Sequence, residues 1–216
     1  MLAGLLLTRV ILDLGGIEAW DQRVAERFED SRTPTLVDLS YVGSTLSGGI
    51  VIPAIVGVLL VLFLALRRWR LAAFTLFVIL LETSTYRVTS LIIHRDRPDV
   101  ERLEGLPVNE SFPSGHVAAS VAFFSGLLLV LASRVPSLPA KLVLWTLAVA
   151  IPIFEIWSRL LRGMHHVTDV TCGVLMGLGA IVVAVFAARA AGAAAARRDA
   201  AKEPDRGVAT TEGTAS

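Results

Sequence analysis

Five apolar runs constrain the fold of this chain more than any other feature, at residues 50–66, 71–93, 116–132, 142–157 and 170–188. Each approaches the ~20 residues that a helix rising 1.5 Å per residue needs to cross a bilayer's hydrocarbon core. A backbone in that medium must satisfy its own N–H and C=O groups, which favours helices. Hydrophobic residues make up 54% of the chain and its mean hydropathy is +0.67, values of an integral membrane protein. Residues 1–14 are apolar but short, carry Arg9 and Asp13, and lead into no convincing signal-peptide cleavage site. They read as a first membrane helix, short or truncated at its start. The expected fold is all-α, a six-transmembrane-helix bundle.

Residues 15–47 turn polar. Trp20, Arg23, Arg27 and Phe28 are spaced for an amphipathic helix at the interface, and a solvated linker fits the same composition. Ser31-Arg32-Thr33-Pro34 marks a break and a restart, with Thr33 as N-cap and Pro34 in the first helical position. Residues 191–216 pass from alanine-rich to polar and are expected to be a disordered cytoplasmic tail behind one membrane-embedded domain, 1–190. Counting crossings puts Arg67, Arg68 and Arg70, then Arg134 and Lys141, then Arg189, Arg197 and Arg198 on one side, which the positive-inside rule names cytoplasmic. The loops 95–115 and 159–168 then share the extracytoplasmic face of what is expected to be the cell membrane. A net charge of +1 with no basic face excludes a nucleic-acid partner. The single Cys172 sits in an apolar run as a small core residue.

Three polar stretches interrupt the apolar chain: His94-Arg95-Asp96-Arg97-Pro98, Pro113-Ser114-Gly115-His116, and Ser158-Arg159 followed by His165 and Asp169. Charged groups beside lipid are costly and tend to persist where they pair or do chemistry. Arg97 and Arg159 can each grip an oxyanion with two parallel hydrogen bonds; snorkelling to the interface is their ordinary alternative. Ser114 and Gly115 stand where a loop enters a helix, so free N–H groups and the Ser114 hydroxyl can meet a phosphate, or Ser114 can simply cap the helix. His165 and Asp169 lie four apart, one turn along a helix, so the carboxylate can hold one ring nitrogen while the other attacks phosphorus. His166, three residues before Asp169, competes for that role. His116 remains to protonate the leaving alkoxide and then activate water.

Together these stretches resemble the type 2 phosphatidic acid phosphatase family of integral-membrane lipid phosphatases, which shares its active-site pattern with vanadium haloperoxidases and glucose-6-phosphatase. The family pattern is Lys, six residues, Arg-Pro; then Pro-Ser-Gly-His; then Ser-Arg, five residues, His, three residues, Asp. Arg97-Pro98 matches the end of the first part, and residues 113–116 and 158–169 match the second and third in full. The resemblance spans about residues 49–188. It implies a metal-independent, cofactor-free phosphatase acting on a lipid phosphate or pyrophosphate through a phosphohistidine, with catalytic His165, His116 and Asp169 and substrate-binding Arg97, Ser114, Gly115 and Arg159. The family lysine falls at Ser90, which carries no charge; Arg87 or Arg95 can lend one.

Other readings remain. A phosphotransferase would pass the group to an acceptor alcohol, and a headgroup binder or carrier would need the arginines but not the nucleophile. A metal site lacks the usual Cys pairs and His-Glu-x-x-His spacing, and the nearby arginines repel cations. Glu82 and Glu155 fall inside apolar runs and are expected to pair helices, Arg87 being one candidate partner, rather than catalyse.

Overall fold

The structure, a computed structural model, describes residues 15–105 and 110–209. The helix expected at residues 1–14 lies outside them. Seven helices occur among the described residues: α1 (Gly15–Asp30), α2 (Pro34–Leu46), α3 (Val51–Ala65), α4 (Trp69–Ile92), α5 (Gly115–Ala132), α6 (Leu138–Leu161) and α7 (Val167–Ala209). The Thr33 side chain accepts a hydrogen bond from Leu36 N at 3.3 Å, with Pro34 in the first helical turn, as the sequence predicts.

Four helices are long and apolar enough to span a membrane: α4, α5, α6 and the part of α7 from Val167 to Ala201. The protein is an integral, multi-pass membrane protein. The expected six spans are not all present among the described residues. With 15 residues, α3 reaches only ~22 Å of the ~30 Å core. It follows α2 across a 44° bend, and the two qualify as a fifth span only together. Residues 34–46, expected to belong to a polar outer segment, pack one face against the bundle: Ser40, Gly43 and Ser44 are buried, and a Cβ on Gly43 would stand 2.8 Å from Ser158 Cβ of α6. At the other end, α7 runs past residue 190, where a disordered tail was expected to begin, and stays helical to Ala209. Alanine, which dominates that run, has the highest intrinsic helix propensity of any residue.

One apolar cluster joins α4, α5 and α7 through Phe74, Val78, Val117, Val121, Ile181 and Ala184; a second joins α3, α4 and α5 through Ile52, Val56, Phe63, Leu71, Phe123 and Leu127. Val61 (70% exposed), Leu91 (75%) and Phe186 (65%) face outward, as lipid-facing residues do. The α5–α7 contact does most to position the polar motifs. A Cβ on Gly173 would meet Ser114 O at 2.7 Å, and one on Gly177 would meet Ala118 O at 2.7 Å. This small-xxx-small pair lets the two backbones touch and brings the N-terminus of α5 against that of α7.

Candidate active site

Two turns build the site. Beyond α4 the chain doubles back: Asp96 and Glu110 form an isolated antiparallel bridge, Ser111 N donates to Arg95 O at 2.8 Å, and Ser111 Oγ donates to Asp96 O at 2.9 Å. Ser114 N then reaches Asp169 O at 3.2 Å, so the second motif docks on the third through its backbone. The other turn ends α6. Gly163 has φ +67°, the left-handed conformation that favours glycine, with Gly163 N on Leu160 O and Met164 N on Arg159 O, both at 3.1 Å. This reversal presents His165 and His166 at the start of α7. The Asp169 carboxylate then accepts from His166 N at 2.7 Å, closing the first turn.

His165 is buried (5% exposed), and its Nδ1 donates to the Ser111 carbonyl at 2.7 Å. Asp169 Oδ2 stands 3.9 Å from the same nitrogen, nearer to His166 Nδ1 at 3.3 Å. Asp169 thus stands at ion-pair distance from the His165 ring, as the spacing predicts, but is not its nearest partner. The Ser111 carbonyl makes the closer contact, while the Asp169 oxygens also accept from His166 N and from Arg95. Burial, the Arg159 charge, Arg97 and His116 hold the His165 pKa well below the usual imidazole range, against the pull of Asp169. The ring is thus neutral at ordinary pH, its Nδ1 proton directed at Ser111 and its lone pair on Nε2.

Around it stand the other expected residues. Arg159 is fully buried; its Nη1 donates to Ser44 Oγ at 2.5 Å and to Glu104 Oε2 at 3.0 Å. Its Nε and Nη2, which share the opposite edge of the guanidinium, have no hydrogen-bond partner among the described residues. That edge is the one that meets a phosphate bidentately. Ser114 caps α5 but makes no side-chain capping bond, and its fully buried Oγ is likewise without a partner. Arg97 is half-buried, its Nη1 donating to Met164 O at 2.5 Å. Burial, then the charges of Arg159 and Arg102, lower its pKa, though a guanidinium remains protonated. His116 lies in the first turn of α5, close enough for its charge to bear on His165. Gly115 packs against Tyr86, where a Cβ would stand 2.9 Å from the ring, so a side chain is excluded there by an aromatic neighbour.

A PAP2 superfamily model matches residues 71–192, more than half of the chain. The chain belongs to the PAP2 superfamily. Its fold is similar to that of a transmembrane PAP2-type phosphatidylglycerolphosphate phosphatase from Bacillus subtilis, with a TM-score of 0.74 at 23% identity over 84% of this chain and 92% of that one. It is also similar to LpxE from Aquifex aeolicus, with a TM-score of 0.58 at 23% identity over 76% of this chain and 93% of the other.

Three features of this PAP2 site were not legible in its motifs. Glu104 accepts from Arg159 Nη1, from Arg162 Nε and, at 2.6 Å, from Ser44 Oγ. Burial would raise its pKa, but Arg159 and these hydrogen bonds bring it down to about 2. Arg95 is buried between two carboxylates, donating to Asp169 Oδ1 at 2.6 Å and to Asp21 Oδ2 at 2.9 Å. Burial opposes its charge, yet Asp169 and Asp21 outweigh it and raise its pKa. Asp21 itself lies on α1, fully buried, outside the family match. No spacing rule reaches from residue 21 to residue 169, so only the burial of a charged residue on α1 gives it away.

Of the two residues offered as substitutes for the lysine at Ser90, Arg87 is exposed and Arg95 is engaged with carboxylates. The further cation beside Arg97 is Arg102, whose charge depresses the Arg97 pKa. Glu82 is buried and accepts from Thr83 Oγ1 at 3.1 Å; among the described residues it makes no ion pair with Arg87. Glu155 is buried one turn before Arg159, beside Ser47 but without a formed hydrogen bond. Among the described residues no three His, Cys, Asp or Glu side chains are grouped to hold a metal ion.

Proposed function

We propose that this PAP2 protein hydrolyses a phosphate monoester or pyrophosphate of a membrane lipid through a phosphohistidine at His165. One observation carries the reading. Two buried groups, the Nε/Nη2 edge of Arg159 and the Ser114 hydroxyl, lack partners among the described residues, in a site with a neutral imidazole whose other nitrogen is tied down. Buried polar groups normally find partners, so an unsatisfied bidentate donor set favours a ligand that supplies acceptors.

In the mechanism, Arg159, Arg97, Ser114 Oγ and the first N–H groups of α5 hold the phosphoryl oxygens and stabilise charge on them as it builds. His165 Nε2 attacks phosphorus in line with the ester oxygen. The P–N bond forms, the P–O bond to the lipid breaks, and His116 gives its proton to the leaving alkoxide. His116 then takes a proton from water, which attacks phosphorus, breaks the P–N bond and releases inorganic phosphate. No step needs a metal ion. Substrate candidates are phosphatidic acid, phosphatidylglycerol phosphate and a polyprenyl pyrophosphate, the second being the lipid for which the Bacillus subtilis neighbour is named. The arginine and lysine clusters at Arg67–Arg70, Arg134 and Lys141 support an extracytoplasmic pocket.

The test is phosphate release from a panel of these lipids by purified protein. Wild type releases phosphate, with or without EDTA, and His165→Ala does not. Equal release by both proteins would overturn the assignment. EDTA-sensitive activity restored by zinc or magnesium would overturn its metal independence. A phosphorylated acceptor lipid accumulating without free phosphate would favour a transferase, and headgroup binding without turnover a carrier.

A further inference from the structure

We propose that Asp21 and Arg95 are positioning residues for His165, a role that rests on His165 being the nucleophile. Arg95 reaches the imidazole from two sides. Its carbonyl accepts from Ser111 N at 2.8 Å, and the Ser111 carbonyl in turn accepts from His165 Nδ1 at 2.7 Å. Its guanidinium donates to Asp169 Oδ1 at 2.6 Å, while Asp169 Oδ2 stands 3.9 Å from that same Nδ1. One residue therefore sets both groups that face the proton-bearing nitrogen.

Asp21 in turn sets Arg95. It accepts from Arg95 Nη2 at 2.9 Å, from Thr168 N at 3.2 Å and from Thr168 Oγ1 at 2.5 Å. Arg95 Nη1 also donates to Thr168 Oγ1 at 2.6 Å, closing a ring between α1, the 95–111 loop and the first turn of α7. Burying three charged side chains is a poor way to gain stability, since apolar packing of similar volume does as well or better. It suits a reaction centre. Asp21, Arg95 and Asp169 carry one net negative charge between them. When Nε2 bonds to phosphorus and Nδ1 keeps its proton, the ring becomes cationic, and a fixed negative cluster behind it stabilises that state. Asp21 thereby brings α1, which lies outside the family match at residues 71–192, into the working site.

The experiment compares wild type, Asp21→Asn and Arg95→Lys on phosphatidic acid in detergent micelles, with turnover normalised to monodisperse protein. Lysine keeps the charge but cannot bridge two carboxylates. Both variants are expected to lose about tenfold to a hundredfold in kcat, the range for residues that act through a functional side chain, with KM within about twofold. Phosphoenzyme formation in a single turnover is expected to slow by the same factor. A purely structural role would instead reduce the yield of monodisperse protein and leave kcat unchanged, and that result overturns the proposal, as does a loss confined to KM. If both variants fail to fold, Thr168→Val, which removes a bridging hydroxyl and no charge, gives the answer: kcat lowered at constant KM supports the role, and wild-type kcat refutes it. A wild type without phosphatase activity would refute the functional reading itself, so the two failures are distinct.

Discussion

Two buried arginines on the same face, Arg95 and Arg159, do opposite things with the same side chain. Arg95 commits its donors to Asp21, Asp169 and Thr168. Arg159 gives Nη1 to Glu104 and Ser44, and its Nε/Nη2 edge has no partner among the described residues. Proximity to a phosphate motif therefore does not make an arginine a phosphate ligand. The number of carboxylates around it decides how many of its donors stay available, since Arg95 meets two acids and Arg159 meets Glu104.

The sharpest way to break this contrast is to replace Arg159. Arg159→Lys keeps the charge and loses the bidentate edge, and is expected to lower kcat/KM on a lipid phosphate by about 10²–10³-fold, as for a missing oxyanion donor. A change below about threefold would show that the open edge is not where phosphate binds. Next is Glu104, the acid paired with Arg159 among the described residues. Glu104→Gln weakens charge-assisted bonds of ~1.5–3 kcal/mol each, and about a tenfold loss of kcat/KM is expected. A falling KM would instead mean that Glu104 competes with phosphate for Arg159.

The same acid gives a pH signature. Its pKa in the folded protein, about 2, lies below the ordinary 4.5, so its contribution to stability is full above the ordinary value and fades as pH falls through the folded one. Thermal unfolding in detergent is expected to shift downward between about pH 5 and pH 2 less in Glu104→Gln than in wild type; equal shifts would remove Glu104 from the acid response. The smallest effect is expected at Arg87, exposed and without a role in either cluster. Arg87→Ala should change kcat/KM by less than about twofold, and a larger loss would return it to the site as the stand-in for the lysine absent at Ser90.

Much of the site is legible along the chain because short-range spacing encodes it. Ser158 and Arg159 end one helix, Asp169 opens the next, His165 lies in the short turn between them, and Ser114 heads a helix. Thr33 and Pro34 mark a helix start by local capping chemistry alone. What does not show is whatever depends on a partner far away in sequence. Spacing assigns Asp169 to His165, yet Arg95, 74 residues distant, and the His166 backbone draw its oxygens elsewhere. Of the kinked α2–α3 pair only α3 gives an apolar run; α2 does not, because its buried face is serine and glycine, which pack closely without being hydrophobic.

The sequence by itself determined that this is a helical membrane protein carrying two histidines, two arginines and a serine in PAP2 order, since apolar length and motif spacing are properties of the chain. Only the tertiary structure decided which arginine is neutralised, which carbonyl holds the imidazole and that α1 closes the back of the site. Those choices depend on which buried charges meet, and a charge removed from water is governed by the neighbours that surround it in space.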